Sequence, residues 1–194
     1  MNIIGKAFKT SADFAAYVAS VKFALWRPRF IVVHNTGSPD TATYLGYAQR
    51  KNPISDEQWM QNLKGYYEGL GWSAGPHVFV TPTAILAFSP LNARGTHTPS
   101  WNSISWGIET VGDFEKDKFE GSVKSNLVDT LAILHAAAGL QPLPFKLGER
   151  GLHFHKEDVR TTHRDCPGKN MVKADLVNLV QEKIISAHSG EHGT

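Results

Sequence analysis

The chain has one cysteine, Cys166, in the stretch RTTHRDCPGK, three residues after His163 and just before Pro167–Gly168. With no second cysteine there can be no internal disulfide, so the thiol serves packing, nucleophilic attack or metal binding. Each reading has its chemistry. Free cysteines are commonly buried as small apolar groups. A thiol near a histidine becomes a nucleophile if the imidazole takes its proton. A thiolate joined by two neutral imidazoles suits Zn2+, and three protein ligands leave a fourth position for water. Nine histidines supply candidates. His34 closes the apolar run FIVVH and His155 closes LHFH, places where a strand hands its last side chain to a loop. No Cys-x-x-Cys or zinc-finger spacing is present, so spacing alone leaves all three readings open.

The elements that must hold these groups follow from hydrophobic periodicity. Ser11 to Phe23 carries Phe14, Tyr17, Val18 and Val21 at helical spacing, with Ser11 as a cap. RFIVVH is a short buried strand followed by the loop NTGSPD. SDEQWMQNLKGYYEGLG opens with Ser55 and has Gln58 three residues on, a capping-box pattern, and should end between Gly69 and Gly71. HVFV and AILAF flank Thr81–Pro82–Thr83 and predict a hairpin. SISWGIETVG predicts a strand with Ile104, Trp106 and Ile108 on one face and Ser105, Gly107 and Glu109 on the other. Val123, Leu127, Leu131, Leu134 and Ala138 form the stripe of a long helix, LHFH is another short strand, and MVKADLVNLVQEKIISAH is a final amphipathic helix. Strands interleaved with helices, together with a hairpin, predict a mixed α/β fold: a central mixed β-sheet flanked by helices. The expected organisation is one domain over 1–194, with a core of about 29–187, a helical extension over 1–28 and a frayed tail over 189–194.

Composition bounds the partners. At 41% hydrophobic and 20% charged residues the chain is an ordinary globular one, and its formal charge of +2 is too small to argue for nucleic acid. One cysteine fits synthesis in a reducing compartment. The apolar residues of MNIIGKAFKTSADFAAYVAS are interrupted by Lys6, Lys9, Ser11 and Asp13, so no signal peptide is expected. No apolar run approaches the roughly 18 residues of a membrane span, so no membrane insertion is expected.

Four stretches, FIVVHNTGS, GWSAGPHVFV, THTPSWNSISWGIETVGDF and HKEDVRTTHRDCPGKN, occur in the order found in zinc-dependent N-acetylmuramoyl-L-alanine amidases. From about Phe30 to about Asn170 the chain resembles that superfamily of phage endolysins, bacterial wall amidases and peptidoglycan-recognition proteins. The resemblance implies a central mixed sheet with helices on its sides. It implies zinc held by His34, His155 and Cys166, with His163 as a rival ligand because the His155–Cys166 spacing is longer than in many members. Glu109, the acid of GIE, would be the proton carrier, and Arg164 would stand where many members carry a lysine. Some phage members use a tyrosine just before the HVFV strand; here that position is Pro76. His97, Trp72, Trp101 and Asn102 would line a substrate groove, whereas His77, His135 and His153 are expected to be structural.

The activity so implied is hydrolysis of the amide between N-acetylmuramic acid and L-alanine in peptidoglycan. The expected protein is a monomeric, endolysin-like lytic enzyme, made in the cytoplasm and acting on the wall after release. A cytosolic enzyme trimming recycled muropeptides, a non-catalytic peptidoglycan-binding module, and a structural zinc site closed by His163 are the alternatives.

Overall fold

The computed structural model describes residues 1–23, 26–142 and 151–190. Among these residues six strands form one sheet: β1 (Lys6–Phe8), β2 (Phe30–Asn35), β3 (Val78–Val80), β4 (Ile85–Ala87), β5 (Ser105–Thr110) and β6 (Leu152–Phe154). Their order across the sheet is β1-β4-β3-β5-β2-β6. The β3–β4 hairpin and the β1–β4 pair are antiparallel, while β3–β5, β5–β2 and β2–β6 are parallel. The sheet is therefore mixed, with its parallel half assembled through helical crossovers. Among the described residues five α-helices accompany it: α1 (Ser11–Ser20), α2 (Thr41–Gly46), α3 (Asp56–Gly69), α4 (Gly121–Ala138) and α5 (Lys173–Gly190).

Strand alternation sends side chains to two different layers. Ile31 and Val33 of β2, Val78 and Val80 of β3, Trp106 and Ile108 of β5, and Leu152 and Phe154 of β6 enter the main core. There they meet Phe14 and Val18 of α1, Leu127, Leu131 and Leu134 of α4, and Leu176, Val177 and Val180 of α5. Leu131 and Leu134 are fully buried, and truncating either to alanine would cost about 2–5 kcal/mol. On the opposite face Phe79 and Leu86 pack against Trp59 and Met60 of α3, and Phe30 and Val32 pack with Trp101. That second face also carries His34, Ser105, Gly107 and Glu109, so α3 leaves part of it to chemistry.

Helix ends follow local chemistry. Ser55 Oγ accepts from Gln58 N at 3.1 Å to start α3, and Gly139, at φ +64°, closes α4 in the left-handed region. For α1 the cap is Thr10, which accepts from Asp13 N at 3.1 Å, and not Ser11; the helix ends at Ser20, short of Phe23. The segment 1–28, expected as a helical extension, contributes the edge strand β1, with Lys6, Ala7 and Phe8 opposite Ala87, Leu86 and Ile85. Helix α2, capped by Asp40 Oδ1 at 2.7 Å from Thr43 N, was also not expected. His155 is the first residue beyond β6 and begins a short 3-10 turn, His155–Glu157. Helix α5 reaches Gly190, so of the tail expected over 189–194 only 191–194 remain, outside the described residues. Among the described residues no helix is long and apolar enough to cross a membrane.

Candidate active site

The parallel strands β2, β5 and β6 finish side by side, and the loops beyond their carboxyl ends are where open α/β sheets bind ligands. His34 and Glu109 are direct partners in the β2–β5 ladder. His155 follows the end of β6, and its ring lies 4.4 Å from that of His34. Cys166 reaches the same place from its loop. The loop is pinned by Lys156 N, which donates to the Cys166 carbonyl at 3.0 Å, and by Asn35 N, which donates to Cys166 Sγ at 3.5 Å. Gly168, two residues on, sits at φ +104° where a Cβ would come within 2.3 Å of the Phe114 backbone, so the Pro-Gly after the thiol lets this loop close.

One nitrogen from each of His34 and His155 and the Cys166 sulfur all lie within 4.8 Å of one another. Ligand bonds of about 2.0–2.3 Å bring such donors to a single zinc ion with little adjustment. The electrostatics of the pocket point the same way. Burial, then repulsion from His97, His155 and His163, holds His34 far below the usual histidine range. Burial and then His163 lower His155 to about 4. Both imidazoles are therefore neutral, the form that binds metal. Burial first, and the Glu109 charge second, push the Cys166 thiol up to about 12. A nucleophilic cysteine needs the opposite shift, so the protein's own field disfavours that reading. Glu109 is raised to about 8 by burial. Its Oε1 stands 3.9 Å from His34 Nδ1, and its Oε2 is buried without a hydrogen-bond partner among the described residues. Two neutral imidazoles, and a thiol and a buried carboxyl that both need a nearby cation to ionise, fit a bound divalent zinc.

The remaining expected residues fall differently. His163 is exposed, and its ring stacks on that of His155 at 5.3 Å and 28°; the converging group is His34, His155 and Cys166. His97 was expected to face a groove, but its ring is buried, with Nδ1 3.0 Å from His34 Nε2 and Nε2 near Ser105. Gly107 has no side chain to exclude it. Trp101 was expected at the groove too; it is buried edge-on against Phe30, beside His153, as a core wedge. Asn102 Oδ1 accepts from the backbone N–H of His97 and Thr98, at 2.7 and 2.9 Å, and so shapes the loop that carries His97. Trp72 is exposed and stacks on Tyr67 at 5.0 Å and 9°. Arg164 donates to the carbonyls of Asp158 and Val159, at 3.5 and 3.1 Å. A role toward an oxyanion requires it to give up those bonds.

Three residues not anticipated complete the surroundings. Thr161 Oγ1 lies 2.8 Å from His155 Nε2. Buried Asp158 accepts from the Thr98 hydroxyl, from Ser100 N and Oγ at 2.8 and 2.6 Å, and from Arg160 N at 2.9 Å, tying the 98–100 loop to the turn after His155. Burial pushes its carboxyl up, but the bonds from Ser100 and Thr98 outweigh that and hold it below the usual range. Tyr67 of α3 packs its ring over Gly75, next to Pro76. Burial and then the Glu109 charge raise its hydroxyl pKa. The sequence signal for Tyr67 is weak, because YY in a helix looks like surface and core alternation.

A mixed sheet whose parallel strand ends gather two imidazoles, a thiol and a carboxyl defines an α/β amidase-type fold, and solved structures share it. N-acetylmuramoyl-L-alanine amidase LysC from Clostridium intestinale URNW superposes with a TM-score of 0.59 at 23% identity, over 80% of this chain and 87% of that one. Drosophila PGRP-LB gives 0.58 at 19%, over 81% and 84%. Staphylococcus aureus hydrolase AmiA gives 0.59 at 19%, over 84% and 76%. At these identities the likeness is one of fold. No curated protein sequence matches the chain. The family model for N-acetylmuramoyl-L-alanine amidase matches residues 25–169, and the chain belongs to that family.

Proposed function

We propose that this protein is a zinc-dependent N-acetylmuramoyl-L-alanine amidase that cuts the bond between the lactyl group of N-acetylmuramic acid and L-alanine in peptidoglycan, acting as a lytic, endolysin-like enzyme. The observation that carries the proposal is the convergence of His34, His155 and Cys166 within 4.8 Å beside the unpartnered Glu109 Oε2. Family membership supports the reaction class. A mutant of Drosophila PGRP-LB, of the same fold, was solved in complex with tracheal cytotoxin, which supports the substrate class.

His34, His155 and Cys166 would hold the ion, which when bound supplies Lewis acidity toward water and the scissile carbonyl. Glu109 holds or moves the proton. Burial raises its carboxyl and keeps the acid form, so it would act as base once a bound cation's charge ionises it, taking a proton from the attacking water and delivering it to the leaving amine. Arg164 would turn from the Asp158 and Val159 carbonyls toward the developing oxyanion; an arginine can stabilise that charge but cannot donate its proton. Trp72, exposed on its Tyr67 platform, offers a face for sugar or peptide, and Asn102 holds the loop that carries His97.

Mass analysis of digested peptidoglycan tests the reaction. Free stem peptides and glycan strands with unmodified muramic acid are the expected products. Cleavage of glycosidic bonds, or of bonds within the stem peptide only, would refute it. Comparing intact sacculi with soluble muropeptides separates a lytic enzyme from a recycling one.

A further inference from the structure

His34 Nε2 lies 3.0 Å from His97 Nδ1, and the rings meet edge to face with centroids 5.1 Å apart. Groups further along decide which nitrogen carries the hydrogen. Ser105 Oγ donates its one hydrogen to the Trp101 carbonyl at 2.8 Å, so toward His97 it can only accept. His97 Nε2 faces that hydroxyl oxygen at 3.3 Å and the Ser105 carbonyl at 3.4 Å. Both are acceptors there, so His97 bears its N–H on Nε2. A neutral imidazole protonated at Nε2 has a bare Nδ1. The hydrogen between the two rings therefore belongs to His34 Nε2. His34 Nδ1 is left with a free lone pair, on the side of Glu109.

We propose that His97 is a positioning residue: by accepting from His34 Nε2 it holds His34 in the Nε2–H tautomer and leaves Nδ1 as the atom that coordinates zinc. The coordination half rests on the zinc reading above. The tautomer half stands on hydrogen bonds alone. The device extends from Trp101 through Ser105 and His97 to His34, joining β2, β5 and the loop that leads into β5. Gly107 belongs to it, because a Cβ at that position would fall 2.3 Å from His97 Cγ and push the ring away. The other donors are backed in the same manner. His155 Nε2 has Thr161 Oγ1 at 2.8 Å, and Cys166 Sγ accepts from Asn35 N–H. Such outer partners orient metal ligands and typically govern about 10–100-fold in metal affinity.

Ring 15N NMR of the metal-free protein reports the tautomer directly, and competition with a chromophoric chelator gives the zinc Kd. Wild type is expected to show His34 with hydrogen on Nε2 and a bare Nδ1 whose resonance shifts on adding zinc. His97→Phe keeps a ring but removes the acceptor, and zinc should bind about 10–100-fold more weakly. His97→Asn, whose side-chain oxygen can accept in place of Nδ1, should recover much of that loss. Hydrogen on His34 Nδ1 in wild type, or His97→Phe binding zinc within about twofold of wild type, overturns the proposal. If His97→Phe does not fold, the wild-type tautomer and the Ser105→Ala variant, expected to lose tautomer purity, decide it. An Nε2–H His34 in a protein that takes up no zinc would remove the zinc reading and uphold the tautomer assignment.

Discussion

Glu109 stands opposite His34 in the parallel ladder of β2 and β5, with Oε1 3.9 Å from His34 Nδ1 and Oε2 buried without a partner. A carboxyl so placed can exchange a proton with a group bound at the three-donor centre without itself being needed as a ligand. Glu109→Gln keeps the shape and removes the proton chemistry. We expect full zinc content by elemental analysis and a rate on purified sacculi reduced by about 10²–10⁴. Zinc retention with near-normal turnover would remove Glu109 from catalysis.

The Cys166 thiol sits where burial raises its pKa to about 12, so only a bound cation makes thiolate the stable form. Serine, with a far less acidic hydroxyl, cannot replace it as a ligand. Cys166→Ser is therefore expected to lose zinc and activity together while keeping its far-UV circular dichroism. Chelation of wild type should likewise abolish wall hydrolysis, and zinc should restore it. Full activity after verified metal removal contradicts the mechanism.

His155 and His163 stack at 5.3 Å, yet they differ in burial and in partners. His155 is buried with Thr161 on Nε2, whereas His163 is exposed. His155→Ala is expected to abolish stoichiometric zinc binding and His163→Ala to preserve it, measured by titration with the chelator-released metal. The reverse pattern would exchange their roles.

How much of this was readable beforehand depends on whether the information was local. The alternation in SISWGIET puts Trp106 and Ile108 in the core and Ser105, Gly107 and Glu109 on the other face because strand periodicity is a property of consecutive residues, whereas Ile104, expected beside Trp106 and Ile108, precedes β5 and packs with Phe30, Val32 and Trp101. The hairpin and the stripe of α4 are equally local. Strand β1 was not legible: Lys6–Ala7–Phe8 has one buried apolar side chain, and its strand character comes from pairing with β4, far along the chain. The strand ends pointed to His34 and His155, and the family pattern joined Cys166 to them, but spacing could not say that the three donors meet. The burial of His97 was hidden for a further reason. It depends on an absent side chain at Gly107 and on a loop held by Asn102 and Asp158, contacts that no periodicity encodes.

Gly107 itself gives a test of packing. A Cβ there would lie 2.3 Å from His97 Cγ, with Val32 as its ladder partner on the adjacent strand. Gly107→Ala should cost about 1–3 kcal/mol through forced displacement, visible as a lower urea midpoint. Gly65, in the middle of α3 with open space around its Cα, is the control: Gly65→Ala is expected to stabilise by about 0.5–1 kcal/mol. Equal responses at the two positions would mean that the His97 ring does not occupy the space above Gly107.

The last prediction concerns acid. His135 lies fully buried on α4, with Nδ1 2.8 Å from the Leu131 carbonyl and Nε2 without a hydrogen-bond partner among the described residues. The carbonyl can only accept, so Nδ1 carries the hydrogen, and a second proton on Nε2 would be buried unpaired. Burial lowers the pKa to about 4, against 6.5 for the free group. As pH falls through 6.5 the unfolded chain takes up a proton that the folded chain refuses. The stability is thus complete above about pH 6.5 and declines between about 6.5 and 4, by up to about 3 kcal/mol for this residue. His135→Leu fills similar apolar space and cannot titrate. Thermal midpoints of metal-free wild type and His135→Leu, measured from pH 4 to 7, should converge as pH is lowered if the variant is the less stable at pH 7, or diverge in its favour if it is not. In either case the variant's profile is the flatter one. Parallel profiles would mean that His135 titrates alike in the folded and unfolded chains.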